Sequence, residues 1–385
     1  MTEHESRLDV SSLDPSIQAT LAAYGSEHSG IRVAHKGEQN RVSASGTKRL
    51  LRQEREERLA TTLSPFATLP TGAGNRNVPE RADLYRVCFE KDLDRIRHAS
   101  AFRRLAGKCQ VFVTPSDDML RTRLTHSIEV AQIGAAVSDA LGLNTTLVEA
   151  MSLGHDCGHG PGGHAAEEAF APFLAEGFDH AVWGADVALA KLNLCKETLD
   201  GIRQHSWRLA APFTPEGSIC SWADRIAYVT HDWSDALRAG IISEKELPAE
   251  VREIAGLSQS DQLDFFINSL IDSSLNAGIV GMDVDSVAVL DKFRAFNYER
   301  IYLRPASLEQ AERVKRVLTA LVEFYTDAPR LIPDVLSGDV VTPLSGSPEA
   351  AFEAVRYVAS MTDRYAFSRA VDLLNWRSSD LPRGV

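Results

Sequence analysis

Between Leu153 and His164 the chain reads Leu-Gly-His-Asp-Cys-Gly-His-Gly-Pro-Gly-Gly-His, and no other stretch restricts the fold as strongly. Five glycines and a proline forbid a continuous helix here, while His155, Asp156, His159 and His164 crowd into ten positions. The run before it, Leu147 to Leu153, is apolar enough to carry these polar groups into an interior. A His-Asp pair placed there needs a partner, and a divalent cation is the simplest one. His155 and Asp156 are neighbours in sequence, so both reach one ion only if the helix ends at that point, as Gly154 and Gly158 allow. Further ligands must come from other helices. His126, in Arg121-Thr-Arg-Leu-Thr-His-Ser-Ile-Glu129, lies on a helix whose other side is core; Asp224 sits beside the Trp222/Ile226 stripe, where a lone carboxylate is costly. Two imidazoles and two carboxylates suit Mn, Fe, Co or Mg better than a structural zinc. A centre of this kind activates water, so a metal-dependent hydrolase is expected.

Composition narrows the setting. At 385 residues, 44% hydrophobic and 24% charged, the chain has the makings of a large globular core. Five cysteines without CxxC spacing point to reduced thiols rather than a disulfide framework. The first residues lack the basic-then-apolar layout of a secretory signal, and no apolar run reaches the length of a membrane span. A cytoplasmic protein without a membrane partner is therefore expected. The formal charge of −12 disfavours sequence-independent nucleic-acid binding, and no motif indicates a single-stranded partner.

Helical periodicity dominates from about Leu84 onward. Asp92–Leu105, Arg123–Leu141 (apolar at Ile128, Ile133, Val137 and Leu141), His164–Glu176, Ala181–Leu194, Ile219–Gly240 and Leu263–Leu275 all read as helices. Thr146-Leu-Val-Glu149 fits a capping box opening the helix that delivers His155, and Ser307-Leu-Glu-Gln310 fits one before Val314, Val317, Leu321 and Tyr325. Ala350–Leu374 supplies the last one or two. Gln110–Thr114 reads as a short extended piece, and Pro65–Pro79 and Pro333–Pro348 as loops. The fold class is all-α: one large helical domain with extra C-terminal helices. Its expected divisions are a flexible arm over 1–46, a helix and linker over 47–83, a catalytic core over 84–240, and a helical part over 241–385 completing a substrate pocket. His98, His205, Trp222, Trp233 and Cys157 read as structural.

The order His126, His155-Asp156, Asp224 resembles the H…HD…D pattern of HD-domain phosphohydrolases. Asp94 to Phe112, Arg121 to Ile133, Ala223 to Asp232, Arg294 to Leu303 and Met361 to Tyr365 make the likeness more specific. Together they look like the bacterial dGTPase-like deoxynucleoside triphosphate triphosphohydrolases, over roughly residues 48–370. The resemblance implies hydrolysis of a dNTP to deoxynucleoside and inorganic triphosphate, with a divalent ion held by His126, His155, Asp156 and Asp224. It implies a catalytic pair in His164 and Glu167, with His164 moving a proton, either to the leaving 5′-oxygen or from the attacking water. His159 and Arg123 fall at phosphate-contacting positions and His180 at a substrate-facing one, with Arg104, Lys108 and Arg121 as an extension of the cradle. Tyr228, Asp363 and Tyr365 fall to the sugar and base pocket. A homo-oligomer and a dNTP activator accompany the family. Gly162 stands where many members carry Phe, Ala166 where Gly is frequent, Arg225 where an acid is more usual and Ala181 where Asn is frequent; these bear on pocket shape. Two other classes stay open: a different HD-type nucleotide phosphohydrolase, or a non-catalytic nucleotide sensor. The absence of a GYP signature after the HD pair weighs against cyclic-dinucleotide cleavage.

Overall fold

The computed structural model describes residues 10–22, 27–28, 31–32, 49–115, 117–333 and 342–383. The all-α expectation holds. Sixteen α-helices account for the described regular structure apart from short 3-10 and π turns and one pair of two-residue strands, Glu27–His28 and Ile31–Arg32. The chain divides into units Met1–Leu50 and Leu51–Val385. The first contains the strand pair and helix α1 (Pro15–Ala22); most of the expected arm over 1–46 lies outside the described residues.

The second unit carries the chemistry. Helix α2 (Arg52–Thr62) precedes an irregular segment that includes Pro65–Pro79. The expected Asp92–Leu105 helix begins earlier and is broken. Here α3 (Cys88–His98) stops at Ala99, whose backbone is extended, and α4 (Ser100–Arg104) runs into a 3-10 turn. The break turns the chain toward Lys108 and Cys109. Gln110–Thr114 is irregular rather than extended, with Thr114 in the left-handed region at φ +46°. Its neighbour Cys109 forms an isolated bridge to Thr122.

Helix α5 (Arg123–Ala140) starts at Thr122, whose hydroxyl accepts from the Thr125 N–H. Its inner stripe is Val130, Ile133 and Val137; Ile128, expected inside, points outward and is 51% exposed. Helix α6 (Thr145–Gly154) is capped by Asn144, which accepts from the Leu147 N–H, and not by a Thr146/Glu149 box. Leu147, Val148, Ala150, Met151 and Leu153 are buried against α3, α5 and later helices. Each large side chain among them contributes about 1.5–3 kcal/mol. The burial continues without interruption to Gly163.

Next come α7 (His164–Phe170) and α8 (His180–Trp183), each much shorter than the periodicity suggested. A π turn at Gly184–Ala188 and a 3-10 turn at Ala190–Leu192 replace the rest of the second. Helix α9 (Lys196–Arg203), absent from the sequence expectation, packs on α6 and on α10 (Pro215–Arg238). Helix α10 is capped by Thr214 and primed by Pro215 at its first turn. Helices α11 (Ala249–Ile254), α12 (Gln259–Ala277) and α13 (Val284–Asn297) complete the core around Trp233, Phe266 and Phe293.

A second core lies around α14 (Pro305–Asp327), α15 (Pro348–Ala359) and α16 (Asp363–Leu374). Helix α14 buries the expected Val314, Val317, Leu321 and Tyr325, but it opens at Pro305 after Arg304 rather than at a Ser307 cap. It packs on α7, so the glycine-rich loop ending at Gly163 touches this second core. Part of the expected Pro333–Pro348 loop lies outside the described residues. Among the described residues no helix is long and apolar enough to cross a membrane.

Candidate active site

Three helices bring four expected ligands together. His126 comes from the first turn of α5, His155 and Asp156 from the turn that follows α6, and Asp224 from the middle of α10. The Nε2 of His126 is 3.1 Å from Asp224 Oδ1, and His155 Nε2 is 3.6 Å from the same oxygen and 3.4 Å from Asp156 Oδ1. His155 donates through Nδ1 to the Ser152 carbonyl at 2.6 Å. That bond fixes the tautomer and leaves Nε2 for a ligand. This Nε2 is buried without a hydrogen-bond partner. Burial works against a charge on His155, but Asp156 and Asp224 outweigh it and push its pKa up to about 9.

Burial also opposes charge on the two carboxylates. His155 and Arg123 nevertheless hold Asp156 well below the usual carboxylate range, and His126 and His155 do the same for Asp224. Two ionised carboxylates thus converge on an orphaned imidazole nitrogen. Such a place demands positive charge, and the donor set fits a divalent cation. Of the four side chains only Asp224 has notable exposure, 22%, so the set opens toward solvent on the Asp224 side.

A second group adjoins the first. His159 Nε2 is 3.2 Å from Asp156 Oδ1, and its ring stacks on His180 with centroids 3.7 Å apart. Glu167 Oε1 lies 2.5 Å from His180 Nδ1 and 3.5 Å from His164 Nδ1. The sequence reading paired Glu167 with His164; the tighter partner is His180. Burial opposes the Glu167 charge, and its bonds to His164 and His180 more than compensate, holding its pKa far below the ordinary value. His159 is pushed the other way, by burial and by the cationic Arg123 beside it. His164 itself is exposed and opens the short helix α7.

His205, read as structural, belongs to the site. It gives its Nδ1 proton to the Ile202 carbonyl at 2.8 Å and turns Nε2 to within 3.2 Å of His180 Nε2. Its ring also meets that of His155 edge-on at 4.9 Å. Burial, with His155 and His180 nearby, lowers its pKa to about 4. The Ile202-Arg-Gln-His-Ser206 context is family-like and is the available local signal, but with 78 residues between His126 and His205 only the folded chain brings the latter to the site.

The remaining expected contacts divide. Arg123 is buried and donates to Asp156 Oδ2 at 2.9 Å, placing its guanidinium at the ligand set. Arg104 is half-buried with its Nε unpartnered. Tyr228, one turn after Asp224, accepts from Arg294 at 2.9 Å, and burial raises its pKa to about 12. Tyr365 is partly exposed and bonds Tyr357 at 3.1 Å. Arg121 does not extend a cradle, because its guanidinium is paired with Glu129 and Asp235. Lys108 and Asp363 are likewise spent, on main-chain groups instead of an open pocket. A further cluster beyond the expected residues joins Tyr302 to Asp232, whose pKa burial raises to about 8.

Two glycines shape the loop. A Cβ on Gly158 would fall 1.9 Å from the His180 carbonyl oxygen, so the absence of a side chain lets α8 bring His180 against the loop. Gly162 has φ +72°, and a Cβ there would meet Val314 Cγ1 at 2.5 Å. The aromatic that many relatives are expected to carry at this position has no room here. Gly162→Ala is therefore expected to cost about 2–4 kcal/mol, from the left-handed backbone and the overpacking together. The midpoint of urea unfolding measures it, and an unchanged midpoint would show that the loop yields freely.

Comparison with known proteins gives two family matches: residues 123–229 match the HD domain, and residues 280–371 match the phosphohydrolase-associated domain. A deoxyguanosinetriphosphate triphosphohydrolase-like protein of Caldanaerobacter subterraneus is 35% identical over 339 residues, covering 86% of this chain and 96% of its own. One of the same description from Clostridium tetani is 35% identical over 332 residues, covering 82% and 93%. Another from a Ruegeria species is 34% identical over 368 residues, covering 79% and 97%.

Proposed function

Because the chain belongs to the HD-domain deoxyguanosinetriphosphate triphosphohydrolase-like family, we propose that it hydrolyses a deoxynucleoside triphosphate to the deoxynucleoside and inorganic triphosphate. The observation that carries this reading is the contact between the two groups of the site. His159 touches Asp156 of the cation-binding set and stacks on His180 of the proton-handling set. Phosphoryl chemistry needs both functions within a few ångströms of one phosphorus atom.

His126, His155, Asp156 and Asp224 would hold the ion, with Mn, Mg, Fe or Co matching the mixed N/O donors. When bound, a divalent ion supplies Lewis-acid polarisation of a phosphoryl oxygen. The protein's own groups do the rest. Arg123 and His159 line the α-phosphate side, with Arg104 nearby, and Tyr228 faces the sugar. Water adds to the α-phosphorus and gives up its proton to solvent as the bond to the 5′-oxygen breaks, and His164 delivers a proton to that oxygen. Glu167 anchors His180 and His164, and His205 backs His180. The cytoplasm, where such substrates are made, is the compartment this reading requires.

Product analysis tests it. With Mn²⁺ or Mg²⁺ and the four dNTPs and GTP, singly and mixed, inorganic triphosphate and deoxynucleoside are expected in equal amounts. In ¹⁸O-water the label should enter triphosphate. Release of orthophosphate or a nucleoside monophosphate would instead indicate another HD-type nucleotide phosphohydrolase, and no release from any mixture would favour a nucleotide sensor.

A further inference from the structure

The glycine-rich loop is fastened from the far end of the chain. Lys108, fully inside, donates to the carbonyls of His159 at 2.5 Å and Ala359 at 2.9 Å. Asp363, also buried, accepts from the N–H of Gly162 at 2.9 Å and of Cys109 at 3.0 Å. Four hydrogen bonds thus tie three distant segments, 108–109, 159–162 and 359–363. The loop between His159 and His164 has little stiffness of its own. It holds three glycines and a proline, and Gly162 and Gly163 both take positive φ. Steric limits close around it as well: a Cβ on Gly163 would lie 2.9 Å from an Arg123 nitrogen, and one on Gly162 would enter Val314.

Burying an ammonium and a carboxylate is expensive unless their bonds compensate. Burial, with Arg104 and Arg123 nearby, lowers the Lys108 pKa to about 7, and burial raises that of Asp363. Each of these costly groups gives one of its two bonds to the main chain of the loop, Lys108 at its His159 end and Asp363 at Gly162, just before His164.

We propose that Asp363 and Lys108 are positioning residues that set the placement of His159 and His164 over the cation-binding set. Ala359 and Asp363 fall within the phosphohydrolase-associated match, so that domain acts on the chemistry through the loop's backbone. In its kinetic arm the inference rests on His164 being the proton donor; its structural arm does not.

Hydrogen–deuterium exchange on the full chain with Mn²⁺ present tests it, comparing wild type with Asp363→Ala, Asp363→Asn and Lys108→Met. In Asp363→Ala, amides of 158–164 should exchange at least about tenfold faster while those of 147–153 keep their protection. Bound metal should stay at the wild-type level. Turnover on the best dNTP should fall about 10–100-fold with KM within about threefold, and Asp363→Asn, which keeps one acceptor, should recover part of it. Lys108→Met should loosen the same loop, and if Asp363→Ala fails to fold, it and Asp363→Asn decide the matter. Unchanged loop exchange would overturn the proposal. So would a uniform loss of protection, metal and substrate affinity, which marks a merely structural role. If no dNTP yields triphosphate, the functional reading falls while the exchange result still decides the clamp.

Discussion

Asp224→Ala protein is expected to lose its divalent ion and at least about a thousand-fold in turnover, the equivalent of about 4 kcal/mol of transition-state stabilisation. Asp224 is the informative choice of the two carboxylates. Its oxygen is the point on which His126 and His155 both converge, at 3.1 and 3.6 Å. Asp156 also neutralises the buried Arg123, so its removal would strand a guanidinium and confuse loss of metal with loss of fold. Asp224 is partly exposed and pairs with no buried guanidinium, so alanine there disturbs the fold less. Metal content measured on the same sample as activity gives the answer. An active, metal-replete variant would remove Asp224 from the ligand set.

His164→Ala should behave in the opposite way. Its side chain is 74% exposed, and Glu167 keeps its closer partner His180, so neither a cavity nor an orphaned carboxylate results. Fold and bound metal should match wild type, with KM little changed. The chemical step should slow by roughly two to four orders of magnitude, the range for loss of a general acid or base. Single-turnover kinetics at saturating dNTP isolates that step, and wild-type turnover would exclude His164 from it.

Much of this site was legible before folding, because its signals are local. The His155-Asp156 pair, the glycines after it and the apolar run before it lie in one stretch, and α5 and α10 declare themselves by periodicity. The helix bounds and contacts that came out otherwise are those decided by interactions across the chain. Asn144 caps α6 one residue outside the Thr145–Gly154 helix, and its amide also donates to the Thr68 carbonyl, a distant partner that periodicity does not register. Ala181–Leu194 has helical periodicity, yet beyond Trp183 it runs as π and 3-10 turns, starting where Gly184 packs against Gly158. Lys108 and Asp363 look like phosphate and sugar contacts from their flanking residues. Their actual partners, Ala359 and Gly162, lie 251 and 201 residues away. His205 is hidden for the same reason.

The Arg123–Asp156 pair has a consequence for how a polyanion reaches this protein. Arg123 already cancels one of the two carboxylates at the cation-binding end. A divalent ion held there would face only Asp224 in net terms, which would leave local positive charge within a chain whose formal charge is −12. Charge of that sign in a buried setting is little screened and attracts anions over short distances. If the proposed function holds, capture of a triphosphate is expected to weaken as added salt screens the approach.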